Sequence, residues 1–177
     1  MPMQDDVKRV LRDEGGFGLI ELLIAMTVLV VGIMATFAMF ESGIRHIKRA
    51  SIVTTAAALA DAEMENYRAV RYSAIGLADT QVLAAPAPYS SDPSYQSNAS
   101  NRVVLPVCGT SPCTNDVPVQ TLTGADGESY RVDTYITWQV VGSGRSVKLV
   151  TIVVRDGDDV TKTWARTASS FDESTGT

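Results

Sequence analysis

The stretch DEGGFGLIELLIAMTVLVVGIMATFAMF, Asp13 to Phe40, carries one charge between Phe17 and Phe40, the carboxylate of Glu21. Those 24 residues contain no Lys, Arg, Asp, Asn, Gln or Pro. At ~1.5 Å per residue they span about 36 Å as a helix, enough to cross a hydrocarbon core of about 30 Å. A cleavable secretory signal has an apolar region of about 7–15 residues and an A-x-A-like end. The run is too long for that and lacks the end, so it reads as a membrane-spanning segment. An acid so near its start, just after a glycine pair, requires a reason.

Charge does not orient the span. Lys8, Arg9 and Arg12 precede it and Arg45, Lys48 and Arg49 follow it, a tie under the positive-inside rule. The chain of 177 residues has room for one modest globular domain beyond the span. Its two cysteines, Cys108 and Cys113, enclose only Gly-Thr-Ser-Pro and have no second pair to complete a metal site. A short disulfide is the favoured reading, which places this part in an oxidising compartment, with two unpaired thiols as the alternative. So small a ring would stabilise by about 2 kcal/mol in the chain-entropy model, a local effect.

Four parts follow. Residues 1–16 form a polar leader. Residues 17–78 lack proline. Within them, Val53, Ala57, Ala60, Met64, Tyr67, Val70 and Ala74 recur at three- or four-residue steps, the pattern of an amphipathic helix over residues 41–78. Glu63, Glu65, Arg68 and Arg71 fall mostly on other faces, and Gly32 and Gly43 are candidate bends. One helix thus runs from the apolar segment well beyond it.

Six of the seven prolines lie between Pro86 and Pro118, among many Ser, Asn and Thr. Residues 79–128 therefore read as an irregular loop region with at most one short strand, Val103 to Val107. In residues 129–177, YRVDTYITWQV places Tyr130, Val132, Thr134, Ile136, Trp138 and Val140 on one face at period two. SVKLVTIVVRD and VTKTWARTASSF follow as strands, with Gly-Ser-Gly and Asp-Gly supplying the positive φ of tight turns. A three-stranded antiparallel meander results, and the striped helix can cover its apolar face.

A long helix packed on a small antiparallel sheet, an α+β fold, is the shape of a type IV pilin, and GGFGLIELLIAM resembles that family's class III signal. The resemblance implies cleavage by prepilin peptidase between Gly16 and Phe17, N-methylation of Phe17 and an assembly role for Glu21, at the fifth mature position. ELLIAMTVLVVGIMA, ALADAEMENYRAV and the internal Trp138 are similar to minor pilins of the V type and I-type pseudopilins. The partners implied are prepilin peptidase, other pilin or pseudopilin subunits, the cytoplasmic membrane and an assembly platform protein. The location implied is single-pass in that membrane with the C-terminal domain outside, then a filament at the cell surface or in the envelope.

The chain also departs from the pattern. Its leader has three bases and four acids, its apolar segment has no proline, and its cysteines sit mid-chain. These departures favour a minor or pseudo-pilin over a major one. Glu21 then has a physical role: a carboxylate buried among apolar helices is costly alone, and the Phe17 α-amine of a neighbour would neutralise it. Such a pair penalises registers that strand either charge. The alternative is that Glu21 sits at the lipid interface of a permanent anchor.

Competing sites carry less. His46 has no Cys, Asp or Glu constellation. RDGDD (Arg155 to Asp159) and GADGES (Gly124 to Ser129) resemble calcium loops, but turn chemistry explains them first and no metal or other cofactor is expected. NAS (Asn98 to Ser100) is a short glycosylation pattern that arises often by chance. Without the leader the net charge is −4, 12 bases against 16 acids, which argues against a general nucleic-acid grip. The readings kept are a structural filament subunit, a filament-borne adhesin or DNA-uptake pilin using the proline-rich loop, and, weakest, a membrane-anchored enzyme.

Overall fold

The structure is a computed structural model that describes residues 18–105, 117–142 and 144–173. By contacts the chain divides into residues 1–47 and 48–177. Helix α1, Leu19–Ala69, is one uninterrupted element that includes Gly32 and Gly43.

In the second unit the C-terminal half of α1 packs on a sheet of strands β3 (Val119–Thr123), β4 (Ser129–Val141), β5 (Arg145–Asp156) and β6 (Thr163–Phe171), antiparallel in the order β3-β4-β5-β6. Ala56, Ala60, Met64 and Tyr67 of the helix join Tyr130, Val132, Ile136, Val150, Ile152 and Val154 in the core. Those strand residues alternate along β4 and β5, so the period-two pattern does mark the helix-facing side. Tyr130 donates its hydroxyl to Asp126 Oδ2 at 2.6 Å, and the same oxygen lies 3.4 Å from Ile52 O. Gly124 sits against both helix and sheet: a Cβ there would lie 2.6 Å from Thr55 and from Tyr130.

The fold corrects several expectations. The meander gains a fourth strand, β3, from the proline-rich region, paired with Ser129–Asp133. The helix ends at Ala69 rather than 78 because Arg71 turns extended (ψ 146°) and a 3-10 turn, Tyr72–Ala74, follows. Buried Lys148 donates to Tyr72 O and Ile75 O, both at 2.7 Å, and takes up carbonyls beyond that end. The helical stripe is also out of phase at its start: Val53 and Ala57 are exposed, while Ile52 and Ala56 turn inward. Glu63, expected on a solvent face, is buried and accepts from Gln120 Nε2 at 3.2 Å and Asn66 Nδ2 at 3.1 Å. Trp138 is partly exposed near the end of β4, 5.7 Å from Lys148 Nζ at its ring centroid.

The largest departure is on the other face of the sheet. Residues 79–105 are not an irregular loop throughout: β1 (Leu77–Ala78) pairs in parallel with β2 (Val104–Leu105), and helix α2 spans Asp79–Ala84. Arg102 bridges to Thr137, and Val103 donates to Ile136 O, so this segment continues along the edge of β4 beyond β3. Residues 86–95 then cover the face that carries Arg131, Asp133, Tyr135, Val153 and Arg155. Arg131 donates to Pro86 O and Ala87 O, both at 2.7 Å. The Tyr89 ring stacks on Tyr135 at 4.4 Å, and its hydroxyl donates to Thr134 O. Asp92 accepts from Arg155 Nη2 at 2.5 Å and from Arg166 Nη2 at 2.7 Å. Both faces of β4 are thus buried from Tyr130 to Ile136.

Turn chemistry is as expected at Gly142 and Gly144, whose φ values are 58° and 105°. Gly157 differs. It has no positive φ, and a Cβ there would lie 2.6 Å from Ser129 O, so crowding explains that glycine.

Candidate assembly helix

The first unit is dominated by the N-terminal part of α1. Gly18 O accepts from the N–H groups of Glu21 (2.9 Å) and Leu22 (3.2 Å), closing the first turn. Glu21 lies in that turn, where a carboxylate complements the partial positive charge of a helix N-terminus. Every residue from Gly18 to Ser51 is exposed, and the large apolar ones cover all sides: Leu22, Leu23, Ile24, Val28, Leu29 and Phe37 among them. A helix apolar all round needs an apolar surrounding, lipid or other helices. The two hydroxyls of the apolar run up to Phe40 are satisfied within the helix, Thr27 donating to Ile24 O at 2.8 Å and Thr36 to Gly32 O at 2.9 Å. The polar boundary begins at Glu41, which pairs with Arg45 one turn on at 3.1 Å.

Of the residues singled out by sequence, Glu21 is in the described helix. Gly16, Phe17, Cys108 and Cys113 lie outside the described residues. His46 is exposed on the helix. Asn98 accepts from Ser100 N at 3.0 Å and opens a 3-10 turn. The acidic loops make turn bonds. Asp156 accepts from the N–H groups of Asp159 and Asp158 at 3.0 and 2.9 Å, and these, the former foremost, hold its carboxyl below the usual range. Asp126 is lowered chiefly by the Tyr130 hydroxyl. Among the described residues no three His, Cys, Asp or Glu are placed to hold a metal ion.

The family model of the prokaryotic N-terminal methylation motif matches residues 11–37, a span that holds Gly16, Phe17, Glu21 and most of the apolar run. The chain is type IV pilin-like. Neither the curated proteins nor the solved structures gave a match. The fold agrees with the motif: a long N-terminal helix, apolar and exposed at its start, packs farther on against an antiparallel sheet. A pilin-like class III signal implies processing by prepilin peptidase and assembly with other pilin subunits. It points to a structural subunit rather than an enzyme, anchored in a membrane and destined for a pilus or the cell envelope.

Proposed function

We propose that this pilin-like chain is a minor pilin or pseudopilin that joins or primes a filament drawn from the cytoplasmic membrane. The observation that carries the reading is the methylation motif at residues 11–37 running straight into a fully exposed apolar helix. Prepilin peptidase removes residues 1–16, and Phe17 then presents an α-amine, whose reference pKa near 8 keeps it largely cationic at neutral pH. That amine is methylated and neutralises Glu21 of an adjacent subunit. The pair selects an axial stagger rather than supplying much net stability. The domain lies outside the cytoplasm, held to an assembly platform protein during extrusion. The adhesin reading gains nothing from residues 79–105, whose Tyr89 and Asp92 side chains are used in contacts with the sheet and whose buried Arg102 is bonded within the segment to Asp79.

The test is processing. Co-expression with a prepilin peptidase and N-terminal sequencing should give a mature chain starting at Phe17. Gly16→Leu should block the cut, because a glycine at that position fits a tight protease subsite. An uncut chain in native membranes contradicts the reading.

A further inference from the structure

Helix α1 changes character just after the apolar run. Glu41 closes that run, yet Ile44 and Ile47 beyond it are exposed by 67% and 72%. At about 100° per residue, Phe40, Ile44 and Ile47 fall within about 60° of one another and form one stripe. Ser51, the next position on that stripe, is polar and ends it. Arg45 and Arg49, four residues apart, lie on the other side, about 150° around the helix. A tilted span keeps one side of its helix in hydrocarbon longer than the other. The isoleucines suit the side that leaves late, and the arginines the side that leaves early.

Both arginines are open to a new partner. Arg45 pairs with Glu41, but both side chains are largely exposed, where such a pair contributes little. Arg49 is exposed and forms no ion pair among the described residues. Lys48, between them, adds a third cation, paired with Glu128 at 3.0 Å. Against these three stands one acid between Glu41 and Arg49, so this level of the helix is net positive.

Depth selects what the arginines meet. At ~1.5 Å per residue they sit about 8 and 14 Å beyond Phe40. Side chains on a helix lean toward its N-terminus, here toward the membrane, by about one turn, ~5 Å. Their guanidiniums thus reach roughly 2–8 Å past the hydrocarbon edge, within a headgroup layer about 5–8 Å thick. The anions at that level are lipid phosphates, which a guanidinium binds with two parallel hydrogen bonds.

We infer that Arg45 and Arg49 form a phosphate-binding collar for anionic phospholipids, with Ile44 and Ile47 seated toward the acyl chains. The collar fixes how far α1 stands out of the membrane. It rests on the membrane anchoring of α1 and not on the filament reading. A neighbouring subunit's helix lying along α1 would call for a stripe that continues past Ser51, and this one stops there.

The experiment reconstitutes the full-length chain in phosphatidylcholine vesicles doped with spin-labelled phosphatidylglycerol or spin-labelled phosphatidylcholine. Electron spin resonance reads the ratio of the two lipids held at the protein surface. The parent should prefer phosphatidylglycerol, and Arg45→Gln/Arg49→Gln should lower that preference by about twofold or more. Lys8, Arg9 and Arg12 are the same in both proteins, so the difference belongs to the collar. No preference in the parent, or an equal one in parent and variant, overturns the inference and leaves the isoleucine stripe to another subunit. Alkaline carbonate separates the two levels of failure. A chain it strips from the vesicles removes the anchoring and the collar together, whereas an inserted chain with an unchanged ratio removes the collar alone.

Discussion

Arg131 and Arg155 stand directly opposite each other on β4 and β5, two cations paired across adjacent strands and both buried. Such a like-charge pair is destabilising by itself. Asp133 resolves it, because its Oδ1 accepts from Arg131 Nε at 2.7 Å and its Oδ2 from Arg155 Nε at 2.8 Å. Asp92 adds a second anion from the covering segment and meets Arg155 and Arg166. Three arginines and two aspartates thereby tie residues 86–95 to the sheet.

Removing Asp133 therefore leaves two buried arginines facing each other. Asp133→Ala should destabilise the domain by about 3–5 kcal/mol, the range for breaking one partner out of a buried ion pair. Urea unfolding of the full chain in detergent, followed by fluorescence of Trp138 and Trp164, measures it. A loss under about 1 kcal/mol, the scale of an exposed pair, would contradict the buried network.

Asp92 sets an acid limit. Burial alone would raise its carboxyl, but hydrogen bonds from Arg166 and Ser94 N–H and the charges of Arg166 and Arg155 outweigh this and hold it below the usual 3.8. Its ionised form is therefore the stabilising one. The contribution is full above pH 3.8, the unfolded value, and is lost as pH falls through the lower folded value. Asp92→Asn should lower stability at pH 7 and flatten the decline below pH 4 relative to the parent. Unfolding midpoints across pH 2–7 give the comparison, and an unchanged acid slope would remove Asp92 from this role.

Much of the fold is legible in the sequence because it rests on periodicity. The apolar run, the helix, and strands β4, β5 and β6 all announce themselves by spacing, and the positive-φ turn at Gly142 and Gly144 by its glycines. The covering segment does not. Its contacts pair Asp92 with residues far along the chain, and its tyrosines sit among prolines and serines that resemble any surface loop. The alternation on β4 also hides the second buried face, since Arg131 and Asp133 read as solvent-facing until their partners are known. Glu63 escaped for the same reason: a lone acid on a helix gives no sign of the Gln120 that meets it. At the assembly helix, Glu21 stands out because it is the one charge between Phe17 and Phe40.

The cysteine pair is a further proposal. Cys108 and Cys113 should be joined in protein taken from intact cells, as expected for a domain on the oxidising side of the membrane. Alkylation without reduction, followed by mass spectrometry, should find neither thiol modified. Two alkylated cysteines would contradict the outward orientation proposed for the domain.

The most direct measurement concerns Glu21. The ratio of filament-bound to membrane-bound protein is read by immunoblot of sheared filaments and membranes, for the parent, Glu21→Gln and Glu21→Ala. Burying the neighbour's Phe17 amine without a counter-charge costs on the order of several kcal/mol, so both variants should be cleaved, inserted and folded yet remain in the membrane. A ratio that falls sharply in both variants while the mature chain persists is the predicted result. An unchanged ratio in both would contradict the assembly role of Glu21.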